Sequence, residues 1–481
     1  MTFPIQNTGL FTDHYELVMA EGYFLSGLNN YPVAFDYFFR KNSFKGGYTV
    51  FAGLNTLLDF ISNFGFEDED LNFLSLNGFD DNFLNYLKNF RFRGNIYSVK
   101  EGEIVFPNEP VIRVEGGLAE TQLIETLLLN TINFQSLIAT KASRMKYVSE
   151  GKTLMDFGLR RAQGLGGIHA TRAAAIGGFE LTSNVYSASL FGLKSSGTMA
   201  HSWIQNFSDE LEAFRTFAKH FPDQSILLVD TYDTLKSGIP NAIQIAGELR
   251  QKGAELKGIR LDSGDLAYLS KVARKMLDKA GFENVRIVAS NQLDEHLIKS
   301  LEAQHAPIDV YGVGTALATG KNDPALDGVY KLAMTNHLPS MKFSENQTKE
   351  TLPGIKSLSR FTDQNNQFVM DGIALDHEKE TIRFMHPFDK SKFTTMEDMQ
   401  REFLLDCVMT EGEIDSRFKN LSISDSSAYF TKRFTQLPEE FKRFENPHLY
   451  KVGISEKLFE LKTELRKRIN HESATNSGST A

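Results

Sequence analysis

The sequence predicts an α/β protein built around a barrel of repeated βα units, and three features carry that prediction. Apolar, strand-like runs recur between residues 150 and 330 at roughly 25–32-residue intervals, the length of one βα unit. Each run ends in small or polar residues, and most lead into a helical pattern. The runs are continuously apolar, as strands covered on both faces must be. Polar strand ends suit a (β/α) barrel, whose chemistry sits at the C-terminal ends of its strands. A doubly wound open sheet is the alternative.

In chain order, LFTDHYELVMAEGYF (10–24) has apolar residues at helical spacing, with Thr12 or Asp13 placed as a cap. VAFDYFFRK (33–41) reads as a strand. Residues 94–115 alternate apolar and polar around Gly102, Pro107 and Pro110, so short strands and turns are expected. Residues 120–147 lack Pro and Gly and read as one long helix. The six barrel runs are TLMDFG (153–158), GFELTSN (178–184), SILLVDTYD (225–233), KGIRLDSGD (257–265), VRIVASN (285–291) and IDVYGVGT (308–315). Leu266, Leu269, Val272 and Met276 mark a helix over 265–280. Residues 331–481 return to short strands and helices, and the small, polar tail 469–481 is expected to be flexible. Three stretches result: 1–147, 148–330 with the active site, and 331–481 packing back on the first stretch and the barrel.

Composition narrows the function classes. The 481 residues are 41% hydrophobic and 23% charged, which excludes wholesale disorder. Fifty-two basic against 61 acidic residues give a net charge of −9, so no basic surplus marks a nucleic-acid binder. The single cysteine, Cys407, excludes an intramolecular disulfide and a cysteine-rich zinc site, and is compatible with a cytoplasmic setting. No apolar run reaches the length of a membrane helix, and no basic-then-apolar leader opens the chain. The 39 phenylalanines are expected mainly in the core.

Several familiar motifs fail. GTALATGK (314–321) has one residue too many between its glycines for a Walker A loop, and GVGTAL (312–317) lacks the third glycine of a dinucleotide fingerprint. Neither H-E-x-x-H nor G-x-S-x-G occurs.

Four strings at strand ends carry chemistry instead. In DFGLRRAQG (156–164), Arg160 and Arg161 would face different ways on extended chain. Their guanidinium forks suit phosphate or carboxylate oxygens, although a solvated surface pair reads equally well. GIRLDSGD (258–265) gathers Arg260, Asp262, Ser263 and Asp265 around Gly264 where a strand becomes a helix. Backbone N–H groups there bind anions. Asp262 or Asp265 suits ribose hydroxyls or a phosphate-bound Mg²⁺. The rival is a plain helix cap by Ser263 or Asp262. In YGVGT (311–315), glycines let the backbone close on a phosphate and Thr315 adds a hydroxyl; a tight turn is the rival. GTMAHSW (197–203) sets His201 beside Trp203. A lone histidine is more often structural, but this one falls within the βα series. His169, in an alanine-rich helix, reads as structural.

Taken in order, these strings resemble the nicotinate phosphoribosyltransferases, of the type II phosphoribosyltransferase class. FFRKNSFKGGYTVFAGL (38–54), GGFELTSNV (177–185), KETLPGIK (349–356) and NPHLYKV (446–452) extend the resemblance nearly end to end, together with the N-terminal helix string. It implies an irregular α/β barrel plus an α+β domain built from both chain ends. It also implies ATP-coupled conversion of nicotinate and 5-phosphoribosyl-1-pyrophosphate to nicotinate mononucleotide and pyrophosphate, the first step of NAD salvage from nicotinate. By motif, His201 is the expected phosphohistidine. Phe157 and Tyr15 of the partner subunit flank the pyridine ring. Thr198, Arg260 and Ser183 meet nicotinate. Arg160, Arg161, Ser263, Gly264, Gly314 and Thr315 take the phosphoribosyl pyrophosphate, and Asp262 holds the ribose. Mg²⁺ is expected through substrate phosphates, with no protein ligands assigned, and ATP as co-substrate. The expected partners are small molecules and a second copy in a homodimer with shared sites, with no nucleic acid or membrane.

Two other functions remain open from sequence. A nicotinamide phosphoribosyltransferase would carry an amide-reading Asp where this chain has Ser183, and an Asp there would repel a carboxylate. A non-catalytic metabolite-binding relative would not require His201.

Overall fold

The structure is a computed structural model, and it describes residues 8–344 and 349–477. The chain divides into two compact units. One is Ile138–Pro324; the other combines Met1–Leu137 with Ala325–Ala481. The divisions fall inside the helix Glu125–Val148 and shortly before the strand Gly328–Thr335.

Unit Ile138–Pro324 holds seven strands: β1 (Thr153–Asp156), β2 (Leu181–Thr182), β3 (Lys194–Ser195), β4 (Ile226–Leu228), β5 (Gly258–Leu261), β6 (Arg286–Ser290) and β7 (Val310–Val313). All neighbouring pairs are parallel. Six coincide with the runs expected from sequence. The two-residue β3 is too short and too polar to show as an apolar run.

The sheet order is β3-β2-β1-β7-β6-β5-β4. From β4 the order climbs to β7, passes to β1 and ends at β3. A doubly wound sheet reverses direction at a switch point. This sheet never reverses: it has the cyclic order of a barrel, open between β3 and β4. The seam is the pairing of β7 with β1, Val310 against Thr153 through Val313 against Asp156. Leu227, Leu228 and Val229 are all buried, so both faces of β4 are covered. Helix Leu266–Lys279 buries Leu266, Ala267, Ser270, Ala273 and Leu277. Leu266 is inward as expected, whereas Leu269, Val272 and Met276 are only half-buried and the inward face turns toward small residues that admit close packing.

The other unit is α+β. An antiparallel seven-stranded sheet has the order Leu338–Pro339, Gly328–Thr335, Pro32–Phe39, Ile112–Gly117, Asn95–Ser98, Asp406–Thr410 and Glu413–Ile414. Strands from the start of the chain therefore lie between strands from its end, which makes one unit of both. A six-stranded sheet comes entirely from Lys356–Ser455. Phenylalanines dominate the core, with Phe64, Phe66 and Phe90 meeting edge to face.

The first helix spans His14–Leu25, and neither candidate cap works as expected. Asp13 occupies the cap position without a side-chain cap bond, and Thr12 Oγ1 donates to Glu16 Oε2 at 2.5 Å. The helix expected over 120–147 is interrupted at Ile124, between Leu118–Leu123 and Glu125–Val148. Helix Glu456–Ser477 carries the backbone into the expected flexible tail; residues 478–481 lie outside the described residues.

Candidate active site

The C-terminal ends of the barrel strands bring the polar side chains together. Arg260, on β5, is the hub. Its Nε donates to Ser290 Oγ at the end of β6 (2.9 Å), Nη1 to Thr198 Oγ1 beyond β3 (3.0 Å), and Nη2 to Asp262 Oδ1 (2.9 Å). Three of its five donors are thus engaged, leaving two for a bound anion. The guanidinium carbon lies 5.2 Å from the centre of the Phe157 ring, a cation–π distance. Arg260, Thr198 and Phe157 therefore meet.

Asp262 is tied to the same hub. Burial alone would raise its carboxyl pKa. The Ser290 hydroxyl, the Arg260 charge and hydrogen bond, and His201 outweigh that and hold it below the ordinary aspartate value. The turn beyond it needs Gly264, whose φ of +78° is left-handed. The cap of the following helix is Asp265, accepting from Tyr268 N at 3.0 Å. Neither Asp262 nor Ser263 is consumed as a cap, which removes the rival reading of that string.

His201 begins the short helix His201–Gln205. Its Nδ1 lies 3.0 Å from Thr231 Oγ1 and its Nε2 3.7 Å from Asp262 Oδ2. Trp203 points elsewhere, donating from Nε1 to Ala213 O at 3.1 Å, a framework contact. Asp230, just beyond β4, accepts from Asp262 N (2.9 Å) and Ser263 Oγ (2.6 Å) through Oδ2. Its Oδ1 is buried, with no hydrogen-bond partner among the described residues.

The seam between β1 and β7 builds the aromatic wall. Phe157 N donates to Val313 O at 2.8 Å. A Cβ on Gly312 would lie 2.4 Å from Phe157 Cε2, so only glycine lets the ring lie on the β7 backbone. Gly314 and Thr315 follow at the end of the same strand. Ser183 is half-buried beyond β2, its N–H donating to Asp156 O at 2.8 Å.

Arg160 and Arg161 correct an expectation: they are not on extended chain. Leu159–Arg161 forms a 3₁₀ turn, because Gly158 N folds back to Asp156 Oδ1 and Arg161 N donates to Gly158 O. Both side chains are exposed, and neither forms an ion pair among the described residues. Tyr15 belongs to the other unit, 46% exposed on helix His14–Leu25. His169 is buried in helix Gly166–Ile176, where burial and then Arg172 push its pKa down to about 4, as suits a framework residue.

Sequence reasoning missed Asp156, Asp230, Thr231 and Ser290. Each lies at or just past the end of an identified strand run, where barrel chemistry sits, and that position was the available signal.

Fold and strand-end chemistry together define an enzyme of the type II phosphoribosyltransferase class. Residues 10–133 match the nicotinate phosphoribosyltransferase (NAPRTase) N-terminal domain, 152–353 the NAPRTase family, and 355–462 the C-terminal domain. The chain is 43% identical to nicotinate phosphoribosyltransferase of Bacillus subtilis, over 98% of each chain. It is 36% identical to that of Caenorhabditis elegans, over 94% of this chain and 92% of the relative. The crystal structure of human nicotinic acid phosphoribosyltransferase superposes with a TM-score of 0.84 at 29% identity, covering 94% of this chain and 99% of the human one. The chain belongs to the nicotinate phosphoribosyltransferase family.

Proposed function

We propose that the chain joins nicotinate to 5-phosphoribosyl-1-pyrophosphate, giving nicotinate mononucleotide and pyrophosphate, with ATP hydrolysis coupled through His201. This reading places the reaction at the entry of nicotinate into NAD salvage, in the cytoplasm. The observation that carries it is the Arg260 hub: a half-buried guanidinium with two free donors, beside an aromatic ring and a hydroxyl, matches a flat ring bearing a carboxylate. No helix among the described residues is long and apolar enough to cross a membrane.

In this reaction the pyridine nitrogen attacks C1 of the ribose. The C1–O bond to pyrophosphate breaks, its electron pair leaves with the pyrophosphate oxygen, and positive charge develops on the sugar. Holding the partners in line and placing negative charge near C1 does more than a strong base. Asp262, kept ionised by its neighbours, supplies that charge near the ribose. Ser263, Gly264, Gly314 and Thr315 take the phosphate end, and the exposed guanidinium groups of Arg160 and Arg161 offer further donors to its oxygens.

Among the described residues no group of three or more His, Cys, Asp or Glu side chains is arranged for a metal ion. The unpartnered, buried Asp230 Oδ1 beside Asp262 nevertheless fits a divalent cation that arrives on the pyrophosphate. When bound, Mg²⁺ would neutralise the leaving group's charge.

In the neutral tautomer whose Nδ1–H donates to Thr231 Oγ1, 3.0 Å away, His201 Nε2 would keep its lone pair. Attack on the γ-phosphorus of ATP would break the bond to ADP and leave a phosphohistidine, which water later hydrolyses. Tyr15 of the partner subunit would complete the ring site in a homodimer.

The test supplies pure protein with Mg²⁺, ATP, phosphoribosyl pyrophosphate and equimolar nicotinate and nicotinamide, and reads the products by mass. Nicotinate mononucleotide with matching ADP release is expected. Nicotinamide mononucleotide instead would overturn the roles of Ser183 and Arg260, and neither product would overturn the reaction.

A further inference from the structure

Asp156 is buried at the end of β1, and its carboxylate joins three separate pieces of chain. Oδ1 accepts from Gly158 N at 2.7 Å. Oδ2 accepts from Thr171 Oγ1 at 2.7 Å, on helix Gly166–Ile176, and from Thr182 Oγ1 at 2.9 Å, at the end of β2. Two further bonds close a ring. Asn184 N donates to Thr182 Oγ1 at 3.0 Å, and Asn184 Nδ2 donates to Thr171 Oγ1 at 3.1 Å.

Ser183 sits inside that ring of contacts. Both its neighbours are members, and its own N–H is held by the Asp156 carbonyl at 2.8 Å. Phe157 lies between Asp156 and the Gly158 N–H that the carboxylate captures, with its own N–H donating to Val313 O. One buried acid thus fixes the aromatic wall and the serine beyond β2 relative to each other. Burying a carboxylate with no cation beside it is costly, and a purely structural knot would be served by a neutral side chain. Burial raises the Asp156 pKa, while the Thr171, Gly158 and Thr182 donors work against that.

We propose that Asp156 is a positioning residue that sets the choice between a pyridine carboxylate and a pyridine amide, by holding Phe157 and Ser183 in register. This rests on the reading above that Phe157 and Ser183 line the pyridine site. Asp156 does not meet the substrate; it acts through the two residues that do.

The test compares KM and kcat for nicotinate and nicotinamide in the wild-type chain, Asp156→Asn, Thr182→Val and Thr182→Ser, with thermal melts of each. Asp156→Asn should fold. Thr171 can redirect its proton to Gly167 O, already 3.1 Å away, and accept from the new amide. Thr182→Val removes one bond of the ring and keeps the side-chain shape, so it decides the matter if Asp156→Asn does not fold. In both variants the nicotinate KM should rise about tenfold while kcat changes less than about threefold, and the preference for nicotinate over nicotinamide should fall in step. Thr182→Ser retains the hydroxyl and should match the wild type. An unchanged preference in folded Asp156→Asn and Thr182→Val would overturn the inference. So would equal losses on both pyridines that track a lowered melting temperature. A wild-type chain inactive on both pyridines would instead overturn the functional reading on which the inference rests.

Discussion

Arg260 on β5 and Phe157 beyond β1 meet across the barrel, guanidinium carbon to ring centre 5.2 Å, although β7 and β6 lie between their strands. The contact exists because the sheet curls. A flat sheet at about 4.8 Å per strand would hold the two strands roughly 14 Å apart. A ring and a charge brought together by curvature are the parts of the proposed site for an aromatic anion, and they can be removed one at a time.

Arg260→Ala should raise the nicotinate KM at least about tenfold, since a charge-assisted pair is lost. Arg260→Lys should recover little, because one ammonium cannot reach Ser290, Thr198 and Asp262 together. Steady-state kinetics would show it, and an unchanged KM would remove Arg260 from the site.

His201→Ala should abolish transfer of ³²P from γ-labelled ATP to protein while leaving the melting temperature nearly unchanged. The side chain is 41% exposed and its bonds to the barrel are few, so little packing is lost. Persistent labelling in the variant would falsify the assignment.

Gly312→Ala should push the Phe157 ring off the β7 backbone, since the new methyl would sit 2.4 Å from Cε2. The nicotinate KM should rise several-fold with the ATPase activity of the protein retained. A wild-type KM in this variant would mean that the ring does not touch the substrate.

If sites are shared between subunits, inactive Tyr15→Ala and inactive His201→Ala chains should regain activity on mixing, because one site in the mixed dimer is intact. Absence of recovery, with subunit exchange demonstrated by native mass spectrometry, would count against sharing.

Glu16 gives a pH prediction. It is buried, accepts from Thr12 Oγ1, Thr126 N and Thr126 Oγ1, and burial pushes its carboxyl up to about 7. A raised folded pKa means that the stabilisation is full below the unfolded value, near 4.3, and is lost as pH rises through about 7. Glu16→Gln carries no charge and keeps an acceptor oxygen. Its melting temperature should therefore gain on the wild type as pH goes from about 5 to 8. A constant difference across that range would show that Glu16 does not titrate there.

The strand runs, their polar ends and the residues of GIRLDSGD and GTMAHSW were legible in the sequence because they are local. An apolar run of four to six residues ending in a polar one states its own burial wherever the chain goes. The cap of helix Leu266–Lys279 was less legible: Asp262 and Ser263 read as candidates, but the backbone geometry of the turn places Asp265 there instead. Asp230 and Ser290 lay in view at strand ends but acquired meaning only from what they touch.

The sequence by itself determined where six of the seven barrel strands run, which strand ends are polar, and that charge and ring chemistry occur in the βα series. The tertiary structure alone decided that β7 pairs with β1, that β3 and β4 leave the barrel open, and that strands from both chain ends share one sheet. It also decided that one buried acid ties Phe157 to Ser183. The physical reason is range. Side-chain polarity and periodicity act between near neighbours in sequence, whereas pairing Val313 with Asp156 closes a loop of well over a hundred residues. The closing contacts are chosen by packing of the whole barrel, and no short stretch of chain records them.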